Sequence, residues 1–329
     1  MSGTALVTGA NGFVGSHLTD LLLERGWRVR CLVRRTSDLS YLPVDRVDLL
    51  YGEASDARAI ASAVPGADVV FHAAGIMRAP TLEAYVRVNA AGCANVARAA
   101  AAARKPPSRI LCVSSLAAGG PSPAGARRTE ADEDRPLDLY GESKLLGERE
   151  LKANAGSVPW TVIRPPAVYG PRDRGFLVLA RLAARGWAVR FSGPEQAVSV
   201  IHARDLAEGI LLAAVSPNAS GRTYYLSHDE DSAWFRIARA MGEAIGRPTR
   251  PLPVPRGIIP PAARATGLVA RLGRRMNPLP PDRVGGLLAS GWACSAARAR
   301  GDFGFEARRP NEEGFRETML WYRSEGWLR

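Results

Sequence analysis

The sequence predicts an α/β protein: a doubly wound parallel-sheet domain of Rossmann type, followed by a smaller mixed C-terminal lobe that would bind substrate. Three observations predict it. Short apolar runs alternate with helix-like stretches over the first two thirds of the 329 residues, a glycine-rich loop directly follows the first run, and the texture changes after Pro165. Such alternation covers both faces of a parallel sheet with helices. A chain of this length exceeds one average domain. Residues 1–165 are expected to form a dinucleotide-binding domain, and residues 166–329 mainly the substrate lobe, with about 188–215 returning to the first domain.

Thr4–Thr8, Arg28–Val33, Val47–Tyr51, Val69–Ala73, Arg109–Ser114 and Trp160–Arg164 read as strands. Phe13–Arg25, Leu82–Arg104 and Asp138–Asn154 carry helical periodicity between them. The alanine-rich end of the second of these favours a closely packed helix. Later, Arg204–Val215, Ser232–Ile245 and Asn311–Arg323 read as helices, whereas repeated prolines prevent Arg247–Pro281 from being one long helix.

Hydrophobic content of 46% with 23% charged residues excludes a disordered chain. The four cysteines (Cys31, Cys93, Cys112 and Cys294) show neither CxxC nor Cys/His ligand spacing, so no metal site and no disulfide framework are expected. No basic segment followed by an apolar one opens the chain, and no apolar run approaches the roughly 20 residues a spanning helix needs. The expectation is a cytoplasmic protein without stable membrane insertion. The net charge of +12 is concentrated late, with twelve arginines against three acids between Arg247 and Arg309. A field of this sign attracts anionic substrates or headgroups, but confined to one segment it does not argue for nucleic acid.

The run Ala5-Leu-Val-Thr-Gly9-Ala-Asn11-Gly12-Phe13-Val14-Gly15 joins a strand to a helix. Glycines there permit a tight turn and let backbone approach a pyrophosphate that the helix N-terminus favours. The spacing is GxxGxxG and departs from GxGxxG; a plain strand–helix turn is the bland alternative. At the end of the second strand an acid would bind the ribose 2′-hydroxyl of NAD, and arginine would take the 2′-phosphate of NADP. The sequence has Arg34-Arg35-Thr-Ser-Asp38. Guanidinium matches phosphate geometry, so NADP(H) is the preferred cofactor, with NAD(H) the alternative if Asp38 contacts the ribose.

Tyr140-Gly-Glu-Ser-Lys144 lies in a helical pattern that Asp138 can cap. Residues four apart share one helix face. A neighbouring cation favours phenolate and suits a tyrosine to acid–base work. The fifth strand ends at Ser114 and Ser115, where an open α/β sheet binds its ligands. Ser115 there could hydrogen-bond a carbonyl oxygen, or simply satisfy turn backbone.

Together with TGANGFVG at Thr8–Gly15, HAAG at His72–Gly75, VNAAG at Val88–Gly92, VSS at Val113–Ser115 and RPPAVYGP at Arg164–Pro171, these motifs make the chain resemble the extended short-chain dehydrogenases/reductases. The branch it resembles holds NAD-dependent epimerases/dehydratases, 3β-hydroxysteroid dehydrogenases and dihydroflavonol reductases. The resemblance implies Tyr140 as acid/base, Lys144 lowering its pKa and holding the nicotinamide ribose, and Ser115 polarising the substrate oxygen, with Ser114 as the alternative. It places Ala73, Ala74, Gly75 and Asn89 beside the cofactor, Pro165 and Val168 on the nicotinamide side, and Glu53 where the family commonly has an aspartate against adenine. It also suggests a homodimer.

Two departures bear on substrate. The nucleotide-sugar members typically carry an asparagine after the segment matching Tyr169–Asp173, and an arginine where this chain has Gln196-Ala197-Val198. The expected activity is therefore secondary alcohol/ketone interconversion on a relatively apolar small molecule. A nucleotide-sugar epimerase or dehydratase with tightly bound NAD is the alternative, and a non-catalytic dinucleotide-binding regulator a second. His72 reads as a packed residue beside the cofactor. The acidic run Glu130, Asp132, Glu133 and Asp134 reads as a solvated loop or lid. The Gly257–Arg275 stretch, with Arg264, Arg271, Arg274 and Arg275, reads as a lid, a lipid-facing surface or an irregular basic surface.

Overall fold

The computed structural model describes residues 3–272 and 281–328. β1 (Thr4–Thr8) runs through the glycine loop into α1 (Phe13–Glu24), followed by β2 (Arg28–Val33), β3 (Asp48–Tyr51), α2 (Ala57–Ala63) and β4 (Val69–His72). Next come the long α3 (Leu82–Ala102), β5 (Arg109–Val113), the single turn α4 (Leu116–Gly119), α5 (Leu139–Asn154) and β6 (Trp160–Arg164). Beyond Pro165 the chain forms β7 (Ala167–Tyr169), α6 (Leu177–Ala184), β8 (Trp187–Phe191), β9 (Ala197–Val198), β10 (Val200–His202), α7 (Ala203–Val215) and β11 (Arg222–Tyr225). It ends with α8 (Trp234–Glu243), β12 (Arg250–Val254), α9 (Ile259–Leu272), α10 (Val284–Leu288), β13 (Gly291–Trp292), α11 (Ala297–Phe303) and α12 (Asn311–Ser324).

The main sheet has seven strands in the order β3-β2-β1-β4-β5-β6-β11. Every pairing in it is parallel, with Thr8 of β1 opposite both Leu32 and His72. Its central strands β1, β4 and β5 are mostly apolar and almost wholly buried because both faces are covered. On one face Leu18, Leu22, Leu206, Ile210 and Phe305 pack in one core; on the other Ile60, Val96, Ala97, Ala100 and Leu151 form a second. A third core of Tyr169, Phe176, Met241, Phe315, Met319 and Tyr322 holds the C-terminal elements together. The strand order turns back at β1, so the crevice between the ends of β1 and β4 is the place where an open sheet takes a ligand.

The predicted Rossmann-type sheet is therefore present. The first 165 residues do not complete it, because β11 is its last strand and Phe305 lies in one of its cores. The return to the sheet thus extends beyond the expected residues 188–215.

The proline-rich Arg247–Pro281 segment holds two elements the pattern did not separate. β12 pairs with β8 on one side only, and Arg250 N–H and Val254 C=O point towards β8. The N–H positions at Pro251 and Pro253 therefore face away from the partner, where a missing donor costs nothing. In α9, Pro260 and Pro261 occupy the first turn, which lacks intrahelical partners in any case. Arg274, Arg275 and the Arg271 side chain lie outside the described residues. Among the described residues no helix is long and apolar enough to cross a membrane, and no cluster of three metal-ligating side chains occurs.

Two predictions follow from this packing. The Phe305 ring stands where a side chain on Gly209 of α7 would collide, 2.7 Å from that position. Phe305→Ala should destabilise the fold by about 3–5 kcal/mol, read as a fall in the urea midpoint. His17 is 8% exposed and its Nε2–H donates to the Pro171 carbonyl at 2.8 Å. Burial, helped by Arg172, lowers its pKa to about 4. The unfolded chain then takes up a proton that the native state refuses, so stability present above pH 6.5 is lost as pH falls towards 4. Replacement by glutamine should remove about 2 kcal/mol of the stability difference between pH 7 and pH 5, measured by urea unfolding at both pH values.

Candidate active site

The glycine loop is built by contact. Gly9 adopts φ +69°, and a Cβ there would stand 2.7 Å from the Ala74 backbone. Only glycine combines that conformation with that approach. A Cβ on Gly15 would lie 2.1 Å from the Gly9 carbonyl, so α1 starts directly on the turn. Gly12 caps α1 with no side-chain partner and no acid follows in the first turn. Its exposed backbone, flanked by half-buried Asn11, Phe13 and Val14, leaves the N–H groups and positive end of the helix turned outwards. Such a helix start could hold an anionic group such as a diphosphate.

Thr8 ties this loop to the next strand end. Its hydroxyl contacts His72 Nδ1 at 2.7 Å and accepts from Ala74 N–H at 3.4 Å, and its carbonyl accepts from Ala73 N–H at 3.1 Å. His72 is buried, and burial lowers its pKa to about 3. It is a neutral packing residue, as its sequence context suggested. After Gly75 the chain is held by Asn89, whose side chain accepts from Ile76 N–H at 2.8 Å and donates to Ile76 C=O at 3.1 Å. Asn89 also donates to Ser143 Oγ at 2.9 Å, and Ser143 in turn donates to the Tyr140 carbonyl. The Asn89 and Gly75 positions are thus wired to the tyrosine helix.

That helix begins where the sequence placed its cap: Asp138 accepts from Gly141 N–H at 2.7 Å. Gly141 allows α5 to touch the α4 turn, since a Cβ there would be 2.4 Å from the Ala117 carbonyl. This packing brings the first turn of α5, which carries Tyr140, against the α4 turn that Ser115 caps. Ser115 Oγ accepts from Ala117 N–H at 3.1 Å, which leaves its own hydrogen to donate. Ser114, by contrast, is buried and donates to Glu148 at 2.5 Å.

Lys144 is 7% exposed; its Nζ donates to the Val113 carbonyl at 2.7 Å and lies 3.7 Å from the position of a Cβ on Gly75. Burial opposes its charge, but Tyr140, the thiols of Cys112 and Cys93, and Glu148 outweigh burial and hold its pKa above the ordinary lysine value. The ammonium keeps its charge at neutral pH.

The remaining predicted residues surround this centre. The Pro165 carbonyl accepts from Leu116 N–H at 2.8 Å, and Val168 sits half-buried in β7 opposite Ile201. Arg34 and Arg35 are exposed at the end of β2, with the Arg35 guanidinium 5.0 Å from the Tyr51 ring centroid. Glu53 is exposed just beyond the neighbouring strand β3 and accepts from Ser55 Oγ. These three residues lie just beyond the ends of the adjacent strands β2 and β3.

Three features escaped the sequence reading. The acidic run is not simply solvated. Asp134 grips Arg164 through both oxygens at 2.6 and 2.8 Å, and Glu130 turns inward to accept from Tyr225 N–H at 2.9 Å. Arg164 is buried and is also held by Glu148 at 2.7 and 2.8 Å. Its charge is held far above the ordinary range, because these hydrogen bonds outweigh burial. Arg283, from the late basic segment, stands against the Tyr140 ring. No local pattern signals Arg283, which only the fold brings to that ring.

Residues 5–226 match the sequence profile of the NAD dependent epimerase/dehydratase family. A ceramide reductase from Caulobacter vibrioides is 32% identical over 327 residues, covering 99% of this chain and 96% of the relative. A 3 beta-hydroxysteroid dehydrogenase/Delta 5-->4-isomerase from Mycobacterium tuberculosis is 31% identical, covering 97% of this chain and 90% of the relative. Among solved structures, gox2253 superposes with a TM-score of 0.83 at 26% identity, covering 99% of this chain and 100% of that one. The motif resemblance is borne out: the chain belongs to the NAD dependent epimerase/dehydratase family, within the extended short-chain dehydrogenases/reductases, a class of NAD(P)-dependent enzymes.

Proposed function

We propose that the protein is an NADP(H)-dependent oxidoreductase that interconverts a secondary alcohol and a ketone on a relatively apolar small molecule. The observation that carries this reading is Lys144, buried on the Val113 carbonyl at the end of β5 and acted on by Tyr140 one turn before it, on a helix that packs against the turn capped by Ser115. The cradle at Gly12, the close approach at Gly75 and the buried ammonium of Lys144 all suit that cofactor. When bound, a nicotinamide supplies the two-electron chemistry, accepting or giving hydride.

The protein's own groups manage the oxygen and the proton. In the reducing direction, the Tyr140 phenol gives its proton to the substrate oxygen as negative charge develops there; in the oxidising direction it takes the proton back. Ser115 donates its free hydrogen to the same oxygen and stabilises that charge. Ser114 cannot share this task while its hydrogen is committed to Glu148. Lys144 spends one N–H on Val113 and keeps two for the ribose and the tyrosine oxygen.

Arg34 supports the choice of NADP(H). It is exposed at the end of β2, and the carboxylate that could compete for the ribose, Asp38, already accepts from Ser40 N–H at 3.0 Å. The apolar substrate is supported by two exposed apolar side chains: Met77, 65% exposed, whose carbonyl is held by the two ring neighbours of Tyr140, and Leu137, 43% exposed, just before the cap of that helix. The Gln196 amide nitrogen is committed to the backbone carbonyls of Leu287 and Ala289. Ceramide and 3β-hydroxysteroid, named in the two relatives, are molecules of the same apolar character.

Fluorescence titration should show NADPH binding more tightly than NADH, and Arg34→Ala should cost NADPH about ten- to a hundredfold while leaving NADH nearly unchanged. Equal loss for both cofactors would overturn the assignment of Arg34 to the 2′-phosphate. Tyr140→Phe should lower kcat for ketone reduction by about 10²–10⁴ with NADPH affinity retained. Full activity in that variant would remove Tyr140 from the mechanism.

A further inference from the structure

Tyr140 has two ring neighbours. The Tyr85 ring of α3 lies 6.2 Å away, centroid to centroid, and the Arg283 guanidinium carbon lies 5.2 Å from the Tyr140 ring centroid. Arg283 arrives from the C-terminal part of the chain, immediately before α10. Its Nη2 donates to the Met77 carbonyl at 2.7 Å, and its Nε is 3.2 Å from Asp138 Oδ2. Tyr85 donates its hydroxyl to the same Met77 carbonyl at 3.0 Å. One guanidinium therefore touches the loop after β4, the cap of α5 and the ring of the proposed acid/base.

The segment that carries Arg283 is anchored behind it. Trp292 Nε1 donates to the Gly286 carbonyl at 2.8 Å, Gln196 Nε2 to the Leu287 carbonyl at 3.0 Å, and Ser290 Oγ to the Ser122 carbonyl at 2.8 Å. Arg283 is thus the forward end of a stapled strap. Asp138 is 12% exposed at its side chain, so this ion pair is partly sheltered from water. Sheltered, charge-assisted contacts order their partners more strongly than surface pairs do.

We propose that Arg283 is a positioning residue: it presses residues 283–292 onto the Tyr140 ring, fixes the direction of the phenol oxygen and closes the substrate wall beside it. The inference rests on the reading of Tyr140 as acid/base. A tyrosine ring has two free torsions, and a cation over its face together with an aromatic neighbour removes that freedom before substrate arrives. Proton transfer depends steeply on such preorganisation, so a loosened ring lowers kcat without touching the cofactor site.

The test compares Arg283→Ala, Arg283→Lys and Tyr140→Phe with the wild-type chain, using NADPH and 2-decanone as the probe ketone, alongside hydrogen exchange without ligands. Arg283→Ala should lower kcat about ten- to a hundredfold with the NADPH dissociation constant within twofold. Added guanidinium should restore part of that loss and urea, its neutral isostere, none. The lysine variant, which keeps the charge but not the planar face, should recover only a fraction. Exchange should quicken at residues 76–80 and 139–143 in Arg283→Ala, a readout that needs no turnover. Unchanged exchange there, or equal rescue by urea, overturns the proposal. An inactive Tyr140→Phe with a fully active Arg283→Ala overturns it alone, whereas a fully active Tyr140→Phe removes the acid/base reading and the proposal together.

Discussion

The candidate site depends on the buried ion pair of Arg164 with Glu148. Arg164, at the end of β6, is bracketed by Glu148 of α5 and Asp134 of the preceding loop, and it also bonds the Tyr225 hydroxyl at the end of β11. Glu148 in turn takes the hydrogen of Ser114. One guanidinium thereby fixes the relative placement of two strands, the tyrosine helix and the serine turn. A charge so deeply placed is tolerable only with its partners present; removing one partner of such a pair typically costs about 3–5 kcal/mol. The burial of Arg164 therefore makes the acidic loop before α5 part of the site's foundation.

The sheet and its ligand-binding end were readable because local rules and tertiary structure agree there. Apolar runs bounded by turns became β1 to β6, and the glycines at residues 9 and 15 matched contacts that exclude any larger side chain. Asp138 was recognisable as a cap because its oxygen serves a residue three positions on. The later elements were harder. β11 has only four residues and gains its identity from pairing with β6, and β12 hides its strand character behind alternate prolines that matter only on the unpaired side. The inward turn of Glu130 and Asp134 could not be read from a run of like charges, since their partners come from β6 and β11.

The late concentration of arginine has a similar resolution. Arg298 faces Glu130 at 3.7 Å, Arg300 pairs with Asp229, Arg309 lies 3.5 Å from Glu317 and 3.1 Å from His202, and Arg256 donates to the Pro194 carbonyl. Much of the positive segment is engaged in binding the C-terminal elements to the rest of the chain. Arg283, Arg298, Arg300 and Arg309 thus spend their charge on acids of the chain itself.

The position of β11 at the sheet edge has a consequence for how the chain is made. Its partner β6 ends at Arg164, but β11 begins only at Arg222. During synthesis the hydrogen-bonding edge of β6 stays open while nearly sixty further residues emerge, and Arg164 waits as long for Tyr225. Parallel pairings across such separations form slowly, and an open apolar edge invites pairing with other chains. The nascent protein therefore passes through an interval in which its dinucleotide loop is complete while its catalytic end is still unsupported, and that interval is when it most needs protection from aggregation.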